Sequence, residues 1–409
     1  MKILQINNQH FLKGGAHKVY FETGELLEQN GQEVYYFSQK NKQNLENKFS
    51  EFWPAETDYR RLSLIGKTDS IKHFVYNKDA FKKLYKFIDY FKPDIAHVHL
   101  FMGGLTSSIL QALKEKNVPI IHTAHDYRLI CPSYLMIDGK NNICERCKGN
   151  KYYNCILHKC SENNIFQSAV LCADAYYRKL FINPIEIIDR FIFVSKFQLK
   201  KHLEFNNNFK KKSDVLYNFI KDFSDSNLKT KKGDYFLFVG RLSKEKGIET
   251  LIEAVKKLDL KLKIAGSGPL LNHFKNDNNI EFLGYKNKED IISLIVNSKF
   301  LVIPSICYEN NPMSVIEAFS LGKPVLGSRI GGIPELINNG ENGFLFETGN
   351  VEDLQKVIEK ANSLEDNLYF RMSDNALKFA SENFNPKNYY NSLMDIYQDV
   401  ISNYKYKEN

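Results

Sequence analysis

The chain has 409 residues, enough for two domains of ordinary size, and its composition is globular: 43% hydrophobic and 25% charged, with 30 Phe and 23 Tyr to fill large cores. No stretch approaches the roughly 20 apolar residues that span a bilayer, and no charged-then-apolar signal segment precedes Lys2-Ile3-Leu4-Gln5-Ile6, so a cytoplasmic protein is expected. The basic residues behind the net charge of +8 are dispersed, with no nucleic-acid-binding motif among them; clusters such as Lys210-Lys211-Lys212 and Lys229 with Lys231-Lys232 read as solvated loop surface, or as a basic face toward anionic lipid or a phosphorylated acceptor.

Strand-like apolar runs alternate with helix-like segments in both halves. In the first half the predicted strands are 2–7, 33–38, 94–100, 119–124 and 190–194. In the second they are 235–240, 262–266, 280–284, 300–304, 324–328 and 343–346, with helices such as 248–258 and 288–297 in the gaps. This βαβα rhythm means a parallel sheet with helices on both faces, and it occurs twice. The polar stretch 221–234 reads as a linker, and 386–404 as a helix after the Asn385-Pro386 start signal. The expected architecture is α/β: two doubly wound, Rossmann-like domains facing each other across a cleft. Such domains bind ligand outside the carboxyl ends of their strands, so the cleft is the natural site.

In the first half, Lys13-Gly14-Gly15-Ala16-His17 leads from the first strand into a helix. Gly14 and Gly15 suit the approach of phosphate or acceptor to a helix start, or form a flexible loop. His122-Thr123-Ala124-His125-Asp126-Tyr127 closes the fourth strand. Alternation puts Thr123 and His125 on one face and His122 and Ala124 on the other, so His125 at the strand end is the site candidate and His122 a core histidine. Asp126 and Arg128 either orient the site or cap the following turn. Cys131, Cys144, Cys147, Cys155, Cys160 and Cys172 then crowd an insertion at 131–172. Cys144-x-x-Cys147 with Cys155 and Cys160 has the spacing of a structural zinc site; the alternative is a set of reduced, buried cysteines. The stretch 163–188, aromatic and apolar with Arg178 and Lys179, either touches membrane or acceptor or packs on the domain.

In the second half, Gly240-Arg241-Leu242-Ser243-Lys244-Glu245-Lys246-Gly247 sets Arg241 and Lys246 at a strand end, a fork and a point charge suited to pyrophosphate. Gly266-Ser267-Gly268-Pro269 ends the next strand, where glycines permit close backbone approach by a ligand, and Gly284-Tyr285 ends the third. Tyr308-Glu309-Asn310-Asn311-Pro312-Met313 follows the fourth, placing Glu309 in a loop and Glu317 about one turn inside a helix that starts near Met313. Two carboxylates there grip hydroxyls, or are solvated helix-start acids. Ser328-Arg329-Ile330-Gly331-Gly332-Ile333-Pro334-Glu335 closes the series. Five consecutive strand ends carrying ligand-type loops are far more specific than any one of them.

These motifs resemble the nucleotide-sugar-binding domain of retaining glycosyltransferases of family 4, which have the GT-B fold, and the resemblance covers most of the chain. It implies an acceptor-binding domain at 1–221, a nucleotide-sugar-binding domain at 222–385, and a final helix, 386–409, crossing back to the first domain. It implies that Arg241 and Lys246 hold the diphosphate, Glu317 the ribose hydroxyls and Glu309 the transferred sugar, helped by the backbone of Asn310 and Asn311. The base lies against Gly284–Tyr285, with Gly240, Gly266 and Gly268 in the same rim. His125 contacts a donor-sugar hydroxyl, and the family has a Gly-Gly loop where Gly14 and Gly15 stand. The donor is a UDP- or GDP-sugar and the acceptor a saccharide or lipid-linked saccharide of a surface polysaccharide, capsule or lipopolysaccharide. Peripheral association with the inner face of the plasma membrane goes with such an acceptor. No catalytic cofactor is implied, and the sequence has no Asp-x-Asp pair, which fits a metal-independent hexosyltransferase. The competing readings are an epimerase or phosphorylase of GT-B-like fold, or a non-catalytic sugar-nucleotide-binding subunit.

Overall fold

The computed structural model describes residues 1–56, 67–221, 231–274 and 279–408. The chain divides into two compact units, Met1–Leu216 with the chain from Lys387 onward, and Tyr217–Pro386. Lys229 and most of the stretch read as a linker lie outside the described residues.

In the first unit a six-stranded parallel sheet is built from β1 (Lys2–Ile6), β2 (Glu33–Phe37), β3 (Ile95–Val98), β4 (Ile120–Ala124), β5 (Arg190–Phe193) and β6 (Ser213–Val215). The order is β2-β1-β3-β4-β5-β6. β1 pairs with β2 on one side, Ile3 opposite Val34, and with β3 on the other, Ile3 opposite Ile95. β6 is absent from the sequence reading because Ser-Asp-Val is too short and polar to show an apolar run. Its neighbour Lys212 is not free loop surface either: its ammonium donates to the carbonyls of Ile185, Glu186 and Ile188, closing the C-terminal end of the short helix Pro184–Ile187.

The helix Pro386–Glu408 packs on this sheet. Tyr389, Leu393, Tyr397 and Val400 recur at helical spacing and are buried. Tyr389 bonds Thr23, Tyr390 bonds Gln32, and Tyr397 reaches His97 at 2.7 Å.

In the second unit β7 (Tyr235–Val239), β8 (Lys261–Ala265), β9 (Ile280–Gly284), β10 (Phe300–Ile303), β11 (Val325–Ser328) and β12 (Gly343–Phe346) form a second parallel sheet, ordered β12-β11-β10-β7-β8-β9. Alternate residues feed different cores. Phe236, Phe238, Phe300 and Val302 join one apolar cluster, while Tyr235, Leu237, Leu301 and Ile303 join another. Both faces of the sheet are therefore covered by helices, which is why the strands read as continuous apolar runs. The strand order turns back between β7 and β10. In a doubly wound sheet that reversal opens a crevice beyond the carboxyl ends of the two strands, where ligands bind.

Candidate functional site

The loops after β7 and β10 meet at this reversal. Lys246, in the turn before the helix Ile248–Lys256, donates to Glu309 Oε1 at 2.6 Å, and Ser305 Oγ donates to the same oxygen at 2.6 Å. Both bonds fall on Oε1; among the described residues Oε2 has no hydrogen-bond partner. The Lys246 side chain is 31% exposed and that of Glu309 12%. Burial opposes the charge on each, and the partner outweighs it: the Glu309 carboxyl is held below the usual carboxylate range and the Lys246 ammonium above the usual lysine range. Cys307, 3% exposed, lies beside the pair. Sequence reasoning missed Ser305 and Cys307; the one signal for Ser305 is its place just beyond a strand end.

The rim around this pair is held by backbone contacts. Leu242 N–H donates to Ser267 O, Leu270 N–H to Leu242 O, and Gly266 N–H to Gly284 O, so the loops after β7, β8 and β9 are zipped together. Gly266 has φ +149, and a Cβ there would lie 1.8 Å from Gly240 O; Gly268 packs against Leu242 in the same way. At both glycines the missing Cβ makes room for the backbone of the neighbouring loop. Gly331 has φ +62 and rests on the backbone of Glu309, while Gly332 N–H donates to Glu309 O at 2.6 Å. The Gly-Gly loop after β11 thus fixes the Glu309 loop from behind.

Asn311 is buried, and its side chain accepts from Asn218 N–H while its carbonyl accepts from the Asn218 amide, which ties this loop to residues ahead of β7. Asn310 is half-buried beside it. Glu317 is the fifth residue of the helix Met313–Ser320 and is half-buried. Arg241 is exposed; its carbonyl accepts from Ser243 N–H, and its side chain makes no hydrogen bond or ion pair among the described residues. Tyr285 stands 80% exposed just beyond Gly284. Glu335 accepts from the Tyr217 hydroxyl at 2.9 Å. Lys232 bonds Leu364 O and Asp366, so this part of the basic run is engaged within the unit.

In the first unit, His125 follows β4 and lies on the same face as Thr123. His125 Nε2 is 2.9 Å from His99 Nδ1, and Thr123 Oγ1 is 2.7 Å from His97 Nε2. His122 points to the other face, bonding Val98 O between Phe101 and Phe191. Asp126 accepts from Arg128 N–H in a local turn, and Arg128 reaches Met102 O. Of the two readings for this pair, turn capping is what the geometry contains. Gly14 and Gly15 are exposed at the start of the helix Gly15–Gln29; Gly14 has extended backbone, and a Cβ there would meet nothing within 4 Å. Gln5, His97 and His99 carry no site signal in the sequence beyond the His97-Val98-His99 pattern, two histidines at alternate positions.

The zinc expectation is corrected. Among the described residues no group of three or more His, Cys, Asp or Glu side chains is arranged to hold a metal ion. Cys144 Sγ accepts instead from the Arg146 guanidinium, and Cys131 Sγ bonds the Ser133 hydroxyl. Cys155 packs with Phe74, Val170 and Leu171, and Cys147 with Tyr152, Cys172 and Ala175. These are free thiols, Cys144, Cys147 and Cys155 buried and Cys160 half-buried, packing as small apolar side chains. The helix Ile165–Phe181, capped by Asn164, turns Val170, Leu171 and Cys172 inward and leaves Ile165, Leu180 and Phe181 exposed. Among the described residues no helix is long and apolar enough to cross a membrane.

Comparison with known proteins gives two family matches. The Glycosyltransferase Family 4 model matches residues 13–222, just over half of the chain, and the Glycosyl transferases group 1 model matches residues 219–379. An uncharacterized glycosyltransferase of Methanocaldococcus jannaschii is 34% identical over 203 residues, 47% of this chain and 55% of that one. The UDP-Gal:alpha-D-GlcNAc-diphosphoundecaprenol alpha-1,3-galactosyltransferase of Escherichia coli is 24% identical over 78% of this chain and 79% of its own. Among solved structures, Anabaena HepE in complex with UDP and glucose superposes with a TM-score of 0.61 at 16% identity, covering 97% of this chain and 98% of that one. The architecture of two parallel-sheet, Rossmann-like units is that of the GT-B glycosyltransferases.

Proposed function

The chain belongs to glycosyltransferase family 4, and from that premise we propose that it moves a sugar from a UDP- or GDP-sugar to a saccharide or lipid-linked saccharide acceptor, with retention of configuration, in surface-polysaccharide synthesis. The observation that carries this reading is the Lys246–Glu309 pair at the strand-order reversal, with Arg241 exposed at the same strand end. A diphosphate placed there meets two cations, and a hydroxyl meets the unoccupied Oε2 of a carboxylate whose other oxygen is tied down.

In this reading Arg241 and Lys246 stabilise the charge that grows on the leaving diphosphate, an electrostatic contribution aimed at the transition state. Glu317 accepts from the ribose hydroxyls, Glu309 from the transferred sugar, and Tyr285 offers an aromatic face to the base. The bond from the anomeric carbon to the phosphate oxygen breaks, the bond to the acceptor oxygen forms on the same face, and the acceptor proton passes to the leaving phosphate. Excluding water from the reacting atoms limits hydrolysis.

The E. coli relative is named for a diphosphoundecaprenol-linked acceptor, which supports a lipid-linked one here and a site of work at the membrane surface. The exposed Leu180 and Phe181, with the exposed Lys179 beside them at the end of the helix Ile165–Phe181, are the contact we assign to anionic lipid. Co-sedimentation with vesicles containing anionic phosphatidylglycerol, lost in Leu180→Glu/Phe181→Glu and absent with neutral vesicles, is the expected result; equal binding of the variant overturns it.

The donor test is a panel of UDP- and GDP-sugars. One of them is expected to raise the Tm by several degrees and to be turned over with release of nucleoside diphosphate. Glu317→Ala should abolish the shift. An epimerase would return an isomeric nucleotide sugar, and a binding subunit would show the shift without turnover.

A further inference from the structure

Two loops of the candidate site hold each other, and each is also held by one of two adjacent residues that open the second unit ahead of β7, Tyr217 and Asn218. Asn218, 5% exposed, donates twice to Asn311: its N–H to Asn311 Oδ1 at 2.9 Å and its amide Nδ2 to Asn311 O at 3.2 Å. The Tyr217 hydroxyl donates to Glu335 Oε2 at 2.9 Å. Between the two loops, Gly332 N–H donates to Glu309 O at 2.6 Å, and Gly331 rests on the Glu309 backbone. The contacts close a circuit that runs from Asn218 through Asn311, Glu309, Gly332 and Glu335 back to Tyr217, every member of it in the second unit.

The direction of these bonds follows from what each atom is able to do. A backbone N–H only donates, so the Asn311 atom that meets Asn218 N–H is the amide oxygen. A backbone carbonyl only accepts, so the Asn218 atom that meets Asn311 O is the amide nitrogen. Backbone groups thus fix both amides, and neither flips without losing a bond. Burial, and then the adjoining Glu335 carboxylate, hold the Tyr217 hydroxyl above the ordinary tyrosine range, so it keeps its hydrogen and donates. The clamping segment is itself anchored: Ile220 sits in the apolar cluster of Leu237, Leu301 and Ile303, and its N–H donates to Phe384 O at 3.2 Å.

We propose that Tyr217 and Asn218 are positioning residues for the donor site, which clamp the loops 309–311 and 331–335 against one another and so hold the Glu309 carboxylate where the transferred sugar meets it. This rests on the reading above in one respect, that Glu309 contacts that sugar. A carboxylate carried on a loop keeps its place only as well as the loop's supports do, and a displacement of about 1 Å costs on the order of a hundredfold in rate. Lys246 and Ser305 fix the carboxylate tip. Asn218 and Tyr217 fix the backbone from which it hangs.

Two measurements test this on the full chain. The first is amide hydrogen exchange of the ligand-free protein, read by mass spectrometry. Asn218→Ala and Tyr217→Phe should each speed exchange by about tenfold or more in both 305–312 and 329–336, because opening the circuit at one point loosens both loops. Tyr217→Phe keeps the ring and removes only the hydroxyl bond, so it serves even if Asn218→Ala does not fold. Unchanged exchange in both loops of a folded variant overturns the proposal whatever the activity. The second is a double-mutant cycle read with the donor found in the panel. Asn218→Ala should lower kcat by about tenfold in the wild-type background and by less than about threefold in Glu309→Gln, where no carboxylate is left to position. An equal loss in both backgrounds, or none in either, assigns Asn218 to packing alone and the proposal fails. If Glu309→Gln by itself transfers at the wild-type rate, the donor-contact reading fails while the exchange result still decides the clamp.

Discussion

Lys246 and Glu309 are 63 residues apart in sequence and 2.6 Å apart in space. They meet because β7 and β10 are neighbours where the strand order turns back. Neither charge is independent of the other. Lys246→Met leaves a 12%-exposed carboxylate without its cation, and should destabilise the second unit by about 2 kcal/mol or more by urea unfolding. Glu309→Gln keeps the shape and the bond from Ser305 and should leave donor KM within about fivefold while lowering kcat by about a hundredfold. Unchanged stability and turnover in both variants would refute the pairing as a functional element.

Arg241 and Glu317 should separate chemistry from binding. Arg241→Ala removes an exposed cation with no internal partner among the described residues, so the Tm should not move while kcat falls by about a hundredfold. Glu317→Ala should raise the dissociation constant for nucleoside diphosphate more than it lowers kcat, as read by calorimetric titration. Wild-type transfer by both would remove these residues from the site.

Two glycines make an opposed pair. A Cβ at Gly331 would sit 2.4 Å from Glu309 O, and the residue is at φ +62. Gly331→Ala should therefore displace the Glu309 loop and cost both stability, about 1–2 kcal/mol, and most of the activity. Gly14 is extended and open, so Gly14→Val should leave the Tm within a degree. A raised KM in that variant is the expected sign that a ligand passes over Gly14; unchanged kinetics assigns the loop no part in binding.

Acid should unfold the first unit early. Burial holds His10, His17 and His122 at about 4, His97 and His202 at about 3, and His99 and His125 well below 6.5. The folded values lie below the unfolded one, so stability is whole above pH 6.5 and falls as the unfolded chain takes up protons below it. The slope approaches roughly 1.4 kcal/mol per pH unit for each group until its folded value is reached. Calorimetry at pH 7.5, 6.5 and 5.5 should show a small change over the first step and a steep loss over the second. A flat Tm across both steps would show that these rings are not buried neutral.

Much of the fold was legible because parallel strands buried on both faces are continuous apolar runs, as Phe300–Ile303 shows. Ser213–Val215 was not, since three residues after a lysine run carry no such pattern. Within the site, strand-end position pointed to Lys246 and Glu309 separately, but nothing in their spacing says that they bond each other; that depends on the order of strands in the sheet. Gly266 was legible as a glycine and not in its cause, because the atom it makes room for is Gly240 O on another loop. The cysteines show the reverse failure. Cys144-x-x-Cys147 matches zinc-ligand spacing, yet spacing along the chain does not set the direction in which four thiols point, and here Cys147, Cys155 and Cys160 sit in apolar packing.

The last helix belongs to the first unit. Tyr397 reaches His97, and Arg190 is paired with Asp399. A ribosome therefore releases β1 through β6 long before the helix that covers them, with a whole second unit made in between. The nascent first unit must wait with Thr23 and His97 lacking their Tyr389 and Tyr397 partners, so a fault in this helix is felt in the portion translated first.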